Sequence, residues 1–478
     1  MSDDAAITLR TVMNFTYGYG PVFNVGERVQ AFTHPLWFIV LALGHSIFHD
    51  IIKVAFAVSI GVSLLFMLLV TQLACRRFLH SFIIAAIFMS CKSYVDFSSS
   101  GLENPLSNIL LTLFILASIQ ALEAQSTFSM VAAGFIGSLV YLTRADLILL
   151  IFPLSMYVAV RLRPRKSQAL LACCAALIPA LVWTLFSIIY YGAPFPNTAY
   201  AKIGPGTPLL FSILQGWTYV KESFSVDPIT LTTITIGILV GLMSGGVERW
   251  LSLGATLYLL YVLRVGGDFM SGRFFVAPLI VSVIILARKP RYFTVIGLGL
   301  VVCGAFNFNA AILEQRGTTV WDEHGIADER RFYWPLRNLK QMVLFGDFPN
   351  YNGMWDAYTQ RPPLEVKRIC GGLGYLGLEK GPDVHIVDTC GLSDPLLARL
   401  PSRPYQRVGH WERNVPANYE MSVKDDRNLL ADEDVRGLYD DIRLVTRGPL
   451  FTRERWRAIY DLNLGKKRDL SRWSAYSP

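Results

Sequence analysis

The chain of 478 residues is 53% hydrophobic and only 17% charged, whereas soluble domains carry about 25% charged residues. This composition excludes an ordinary soluble protein and predicts an integral membrane protein. The net charge of +8 is the sign expected beside anionic lipid. Because the basic residues flank apolar segments and form no stripe with aromatic residues, we predict membrane lipid as a partner and no nucleic acid.

The first 50 residues contain two helical candidates. Asp3 and Asp4 open an amphipathic stretch that runs to Phe15, and residues 35–48 form a short apolar segment. Because a membrane helix needs about 20 residues, the pattern predicts that residues 35–48 form an interfacial or re-entrant helix. The alternative is that this segment crosses the membrane.

Residues 51–313 carry ten apolar segments that we predict to be membrane helices. Several of them are short, which indicates tilted or broken helices. The predicted segments are 51–73, 79–91, 105–123, 129–142, 146–160, 167–191, 229–246, 250–264, 274–288 and 291–313.

The arginine and lysine clusters give an orientation through the excess of positive charge in cytoplasmic loops. Residues 76–77, 161–166 and 288–291 are basic and are predicted to lie inside. The first segment then runs from outside to inside, so we expect a membrane helix upstream of Met1. If residues 35–48 span instead, Asp3 and Asp4 lie opposite the other polar loops.

From about residue 314 charges and turn residues become frequent, and long apolar runs stop. We predict an extracytoplasmic α/β domain over 314–478, with a strand near Val384–Val387 and a short helix over Asp394–Leu400. The predicted domains are therefore 1–50, 51–313 and 314–478. Cys370 and Cys390 lie in the last of these, and they are expected to be able to pair if it is outside the cytoplasm.

The polar motifs whose side chains could take part in catalysis or binding lie at one end of the apolar segments. The basic clusters lie at the other end. This arrangement indicates a membrane enzyme with one active site at the outer water interface. The motifs lie at residues 3–4, 100–104, 143–146, 196–202 and 266–273.

Asp3 and Asp4 have two interpretations. As residues at a helix start they would cap free N–H groups. As carboxylates at the membrane surface they would provide a general base for an acceptor hydroxyl, and two adjacent like charges perturb each other's pKa.

The cations on the same side are Arg144, Lys202 and Arg273. A charge at membrane depth is costly and indicates a functional site with a nearby partner. Arg144 would either pair locally with Asp146 or hold a lipid phosphate, which guanidinium groups bind in bidentate geometry. Arg273 lies in a glycine-rich turn, where the alternative is an arginine that extends towards the interface.

Glu103, His34 and Asp268 lie in or beside the same loops. Their alternatives are structural: Glu103 as a helix cap, His34 as an interfacial residue and Asp268 as part of a glycine turn. The sequence has no cluster of histidine, cysteine or carboxylate residues with a clear metal spacing, so we predict no metal and no cofactor.

Taken together, these motifs resemble the mycobacterial terminal arabinofuranosyltransferases and their bacterial relatives. The resemblance covers most of the membrane region, is specific in the first outer loop, and is looser at residues 100–103 and 267–273. In the first loop it rests on Asp3-Asp4, Leu9-Arg10-Thr11-Val12, Asn14, Gly20-Pro21-Val22-Phe23-Asn24, Gly26-Glu27-Arg28-Val29, Ala31 and Thr33.

The resemblance implies a GT-C fold and a glycosyltransferase of the bacterial inner membrane. Such enzymes use a polyprenyl-phosphate sugar on the outer face, and an acidic residue of the first outer loop is catalytic. The matching residues are Asp3, which we favour, and Asp4. The sugar would be arabinofuranose, transferred to a periplasmic glycan or glycoprotein.

With that activity, Arg144, Lys202 and Arg273 are predicted to bind the donor phosphate. Glu103, His34 and Asp268 are predicted to shape the sugar and acceptor pocket. The alternatives are a GT-C enzyme that uses another polyprenyl-phosphate sugar such as a hexose, a transporter of lipid-linked sugars, and a non-catalytic assembly protein. The absence of charged residues near mid-membrane and of related halves disfavours a transporter.

Overall fold

In the computed structural model the protein is mostly helical, and the structure describes residues 1–72, 77–203, 208–308, 324–335, 337–341, 355, 365–403 and 407–465. The chain forms two units, neither of which is continuous in sequence. The first contains Met1 and residues 56–181 and 209–345, and the second contains residues 2–55, 182–208 and 346–478. The domains predicted at 1–50, 51–313 and 314–478 stay a prediction, because they were defined by membrane topology and not by packing.

The first unit is built from helices, two of which, α3 and α9, continue into the second unit. Their bounds are α3 Ile51–Gln72, α4 Phe78–Ser90, α5 Lys92–Phe97, α6 Asn104–Ala124, α7 Thr127–Thr143, α8 Ile148–Leu162, α9 Lys166–Tyr190, α11 Leu209–Val226, α12 Pro228–Met243, α13 Val247–Val265, α14 Val276–Ala287, α15 Pro290–Phe308 and α16 Glu329–Tyr333. Short 3₁₀ turns at Ala145–Leu147 and Arg273–Phe275 precede α8 and α14.

Helix α14 lies at the centre of this unit. Each of its residues is buried, as expected for a helix that is apolar on every side. Small residues allow its neighbours to approach closely. A Cβ on Gly237 of α12 would lie 2.4 Å from Ser282 Cβ of α14. Between α13 and α8, a Cβ on Gly254 would lie 2.1 Å from the carbonyl oxygen of Leu150.

Within the described residues, a helix lies at each of the ten predicted membrane segments. Residue 73 of the first segment and residues 309–313 of the last lie outside the described residues. By length and composition, four helices of the described chain can cross a membrane, namely Ile51–Gln72, Asn104–Ala124, Ala145–Leu162 and Lys166–Tyr190. Helices α11 and α12, which meet at 112°, make a fifth if the bent pair is one span. The protein is therefore a helical membrane protein, and ten crossings stay a prediction.

Helix α11 was not predicted from the sequence. It contains Gly216, Lys221 and Glu222, which interrupt the apolar run that marks a membrane segment. Its amphipathic pattern is that of a helix with one face on its neighbours. This helix supports a loop of the candidate site described below.

The second unit combines helices with a small parallel sheet. Its elements are α1 Asp3–Thr16, α2 Pro35–Phe48, α10 Asn197–Ile203, β1 Glu365–Ile369, α17 Leu373–Lys380, β2 Val384–Asp388, a 3₁₀ turn at Leu397–Arg399, α18 Tyr419–Lys424, α19 Glu433–Arg447 and α20 Arg453–Asn463. Strands β1 and β2 pair in parallel from Glu365 opposite Val384 to Ile369 opposite Asp388. Helix α17 connects them, as parallel strands require a crossover.

The local predictions for this region are confirmed in part. The expected strand is β2, all of whose residues are buried, and the helix expected over Asp394–Leu400 is the shorter 3₁₀ turn. Cys370 and Cys390, whose pairing the sequence left open, form a disulfide with a Cα–Cα distance of 5.2 Å. The predicted amphipathic stretch is α1, whose residues from Ala5 to Asn14 are all buried.

Candidate functional site

Asp3 accepts two backbone hydrogen bonds from the first turn of α17. Its Oδ1 atom lies 2.8 Å from the Tyr375 amide nitrogen and its Oδ2 atom lies 3.0 Å from that of Gly374. A carboxylate satisfies the free N–H groups at a helix start and interacts favourably with the helix dipole. Asp3 therefore has the capping role considered from the sequence, but for α17, whereas α1 is capped by Ser2.

The close approach of α1 to α17 depends on glycine. A Cβ on Gly374 would lie 2.0 Å from the Asp3 carbonyl oxygen and 2.7 Å from the Ile7 nitrogen. A Cβ on Gly377 would lie 2.6 Å from Cδ of Arg10. Without side chains at these two positions, the backbone of α17 packs directly on α1.

Burial raises the pKa of Asp3 to about 6, against an ordinary value of 3.8. The hydrogen bonds from the Tyr375 and Gly374 backbone amides favour the ionised form of Asp3, while the negative charges of Asp4 and Asp388 oppose it. A carboxyl group with a pKa near the working pH is suited to accept and return a proton. The pKa of Asp388 is also raised, chiefly by burial.

His34 lies buried at the start of α2. Its Nε2 atom is 2.7 Å from Oγ1 of Thr8 and its Nδ1 atom is 3.3 Å from Oγ1 of Thr33. Thr8 follows Asp4 by one turn of α1, and residues four apart share a helix face. Asp4, Thr8 and His34 therefore lie along one side of α1.

A charge cluster in the first unit contains the other predicted residues. Arg144 follows the last residue of α7 and binds Asp146 through two nitrogens, with Nε 3.2 Å from Oδ1 and Nη2 2.5 Å from Oδ2. The same Nη2 atom lies 2.9 Å from the Tyr258 hydroxyl, which donates to Asp146 Oδ2 at 2.8 Å. The Phe274 ring covers the guanidinium at 5.3 Å.

Arg273 belongs to the same cluster. Its Nη2 atom lies 3.1 and 3.3 Å from the two carboxylate oxygens of Glu103, and its Nη1 atom lies 3.6 Å from Oδ2 of Asp268. Glu103 Oε1 is also 3.8 Å from Arg144 Nε. Glu103 occupies the N-cap position of α6, but its side chain makes no capping hydrogen bond to the helix. The carboxylate faces the arginines instead.

The cluster has three carboxylates for two guanidinium groups. The local Arg144–Asp146 pair considered from the sequence is therefore present, and Arg273 is paired in the same way with Glu103. Buried ion pairs of this kind hold side chains in one orientation at a substantial desolvation cost. A phosphate would have to bind beside these carboxylates or displace them.

The loop of residues 266–273 carries Asp268 and Arg273. Gly266, Gly267 and Gly272 have φ of +90°, +74° and +74°, a region in which glycine carries no steric penalty. Helix α11 supports the loop from one side: the Tyr219 hydroxyl donates to the Met270 carbonyl at 3.0 Å, and Glu222 accepts from the Ser271 hydroxyl at 2.9 Å.

Sequence reasoning missed Tyr258, Phe274 and the α11 residues. Tyr258 and Phe274 lie in apolar segments, where an aromatic residue gives no polar signal. The tyrosine hydroxyl, which must find a partner when buried, was the available indication.

The predicted site residues fall into two groups, one in each unit. Lys202 is exposed near the end of α10 and belongs to the second unit with Asp3, Asp4 and His34. The structure therefore brings Glu103, Arg144, Asp268 and Arg273 together, and Lys202 is not part of that cluster. Among the described residues, no group of three histidine, cysteine or carboxylate side chains is arranged to hold a metal ion.

Two curated proteins are similar to this chain over most of its length. A terminal β-(1→2)-arabinofuranosyltransferase of Mycobacterium tuberculosis is 27% identical over 87% of this chain and 81% of its own length. A protein of the same name from Corynebacterium glutamicum is 26% identical over 86% of this chain and 72% of its own length. No protein-family model matches the chain. The chain is a relative of the mycobacterial-type terminal arabinofuranosyltransferases, and it is a membrane glycosyltransferase.

Proposed function

We propose that the protein transfers arabinofuranose from a polyprenyl-phosphate donor to a glycan or glycoprotein on the outer side of the bacterial inner membrane. The observation that carries the proposal is the similarity to two terminal arabinofuranosyltransferases over 86–87% of the chain. The proposal includes a GT-C fold with ten membrane crossings in this chain and an extracytoplasmic α/β domain over 314–478.

Asp3 is proposed as the catalytic carboxylate, with Asp4 in support. Its pKa of about 6 allows it to be ionised at neutral pH and to accept a proton from an acceptor hydroxyl. The two hydrogen bonds from the backbone amides of α17 fix the orientation of the carboxylate. A carboxylate also stabilises the oxocarbenium-like centre that forms when a glycosidic bond to phosphate breaks.

Arg144 and Arg273 are proposed to bind the donor phosphate, with Lys202 as a further cation. Guanidinium groups recognise phosphate by paired N–H donors. Glu103 and Asp146 keep the two guanidiniums in fixed orientations while no donor is bound. A phosphate leaving group needs positive charge beside it, and Arg144 and Arg273 are the guanidiniums of the buried cluster.

Glu103, His34 and Asp268 are proposed to shape the sugar and acceptor pocket. Asp268 is 7% exposed, and its Oδ2 atom accepts no hydrogen bond from the part of the chain that is described. Buried polar atoms normally have a hydrogen-bond partner, and a sugar hydroxyl would provide one. His34, which is held by Thr8 and Thr33, would face the acceptor from α2.

The donor is tested with the purified protein in lipid nanodiscs and three radiolabelled compounds. These are polyprenyl-phosphoryl arabinofuranose, a polyprenyl-phosphoryl hexose and a nucleotide sugar, each with a cell-envelope glycan as acceptor. Transfer from the first alone supports the proposal. Transfer from the hexose donor alone would retain the lipid-phosphate mechanism and contradict the sugar, and transfer from the nucleotide sugar alone would contradict both.

A further inference from the structure

A strap, which we define as residues 326–333, lies against the loop of residues 266–273. The Ala327 nitrogen donates to the Phe269 carbonyl oxygen at 2.7 Å, and the Ser271 nitrogen donates to the Ala327 carbonyl oxygen at 2.9 Å. These two bonds form a short parallel bridge between Met270 and Ala327. The bridge therefore holds the loop backbone at Met270, between the charged residues Asp268 and Arg273.

The strap is fixed in turn by a second buried charge cluster, on α5. Lys92 Nζ lies 3.1 Å from Oδ2 of Asp328 and also pairs with Asp96. Arg330 Nη1 lies 2.9 Å from Oδ1 of Asp96. Lys92 is 7% exposed, so its ammonium group depends on these carboxylates for its stabilisation.

Helix α5 also contacts the loop directly. A Cβ on Gly272 would lie 2.4 Å from Oγ of Ser93, so the loop packs on α5 without an intervening side chain. Ser93 donates to Asp227 Oδ2 through its amide at 2.8 Å and its hydroxyl at 2.9 Å. Because Asp227 caps α12, α5 is anchored independently of the strap.

We propose that Lys92 and Asp328 are positioning residues for Arg273. The pair holds the strap on α5, the strap holds the 266–273 loop through its backbone bridge, and the loop presents Arg273 to the donor phosphate. The last step rests on the proposed function of Arg273. The first two concern the fold alone and are tested separately.

The variants are Lys92→Met and Asp328→Asn, in the full chain in nanodiscs. The Asp328→Asn change retains the cap that Asp328 Oδ1 provides for the Arg331 amide, because asparagine is an equally good cap, and it removes only the charge. Lys289→Met is the matched control, since Lys289 pairs with Glu248 at 3.5 Å in another part of the first unit. Arg273→Gln tests the proposed function by itself.

Two kinds of measurement are made: hydrogen exchange of the peptide 266–275, and transfer kinetics that give kcat and KM for the donor. We expect faster exchange in this peptide with unchanged protection of α14, and a donor KM or kcat that worsens about tenfold to hundredfold, as small misplacements of a binding group do. The double variant should lose no more than the worse single variant. Lys289→Met should change neither quantity.

Unchanged hydrogen exchange of the 266–275 peptide in both variants would contradict the proposal that the Lys92–Asp328 pair holds the loop through the strap. Faster exchange with wild-type kcat and KM would overturn the positioning role. Wild-type kinetics in Arg273→Gln would contradict the proposed role of Arg273 while leaving the exchange result to decide the strap.

Discussion

The Arg273 guanidinium is bound by Glu103, with Nη2 3.1 Å from Oε1 and 3.3 Å from Oε2. The Glu103 side chain is 2% exposed and that of Arg273 is 11% exposed. Glu103 also lies 3.8 Å from Arg144. One carboxylate therefore neutralises part of the charge of two buried arginines and fixes their separation.

Glu103→Gln should destabilise the protein. The change removes the negative charge that binds Arg273, while Asp146 and Asp268 still balance the two guanidinium groups. Because a hydrogen bond to a charged group contributes about 1.5–3 kcal/mol, the free energy of unfolding should fall by about that amount. Glu123→Gln, at an exposed position of the same helix, should change it by less than about 0.5 kcal/mol. Unfolding in mixed micelles measures both, and equal values for the two variants would contradict the account of Glu103.

Tyr258→Phe should lower kcat/KM about tenfold. The hydroxyl bonds to both Arg144 and Asp146, and a hydrogen bond to a charged group contributes about 1.5–3 kcal/mol. Tyr157→Phe, where the ring stacks on Trp250 at 5.5 Å, serves as control and should retain wild-type kcat/KM. A Tyr258→Phe variant with wild-type kinetics would show that the Tyr258 hydroxyl is not needed to orient Arg144.

The transfer rate should rise with pH through a pKa of about 6, the value for Asp3, because the base must be ionised. The same shift acts on stability. Since the folded-state pKa lies above the ordinary 3.8, protonated Asp3 favours the folded state, and this contribution is lost as pH rises from about 4 to about 6. A rate that does not change between pH 5 and 8 would contradict Asp3 as the base.

Gly374→Ala should separate α1 from α17, because the new Cβ would lie 2.0 Å from the Asp3 carbonyl oxygen. Overpacking of this kind costs about 1–3 kcal/mol, and we expect transfer to fall with it because the Asp3 carboxylate loses its amide donors. Gly61→Ala is the control, since a Cβ there meets nothing within 4 Å. Thermal unfolding and label transfer measure the two effects, and a Gly374→Ala variant as stable and active as Gly61→Ala would refute the contact.

Local patterns predicted much of the helical structure. The amphipathic run after Asp3, the apolar segments and the strand at Val384–Val387 depend on residues that are neighbours in sequence, and a helix or strand forms at each of them. Helix α11 was not predicted, because its charged residues interrupt the apolar run.

Side-chain pairing could not be predicted in the same way. Glu103 and Arg273 are 170 residues apart, which is far beyond the reach of any local motif. The contact between Asp3 and α17 joins residues more than 370 positions apart, and nothing in the Asp3-Asp4 pattern indicates which helix it would cap. The sequence identified the charged residues, while their partners depend on the packing of distant helices.

The most direct test of the proposed mechanism is label transfer from radiolabelled polyprenyl-phosphoryl arabinofuranose by wild type and Asp3→Asn. Asparagine retains one oxygen that can accept from the Tyr375 amide, gives up the bond from the Gly374 amide, and cannot act as a base. We expect a folded Asp3→Asn protein whose transfer rate falls at least about a hundredfold. Transfer at the wild-type rate by Asp3→Asn would contradict the proposed mechanism.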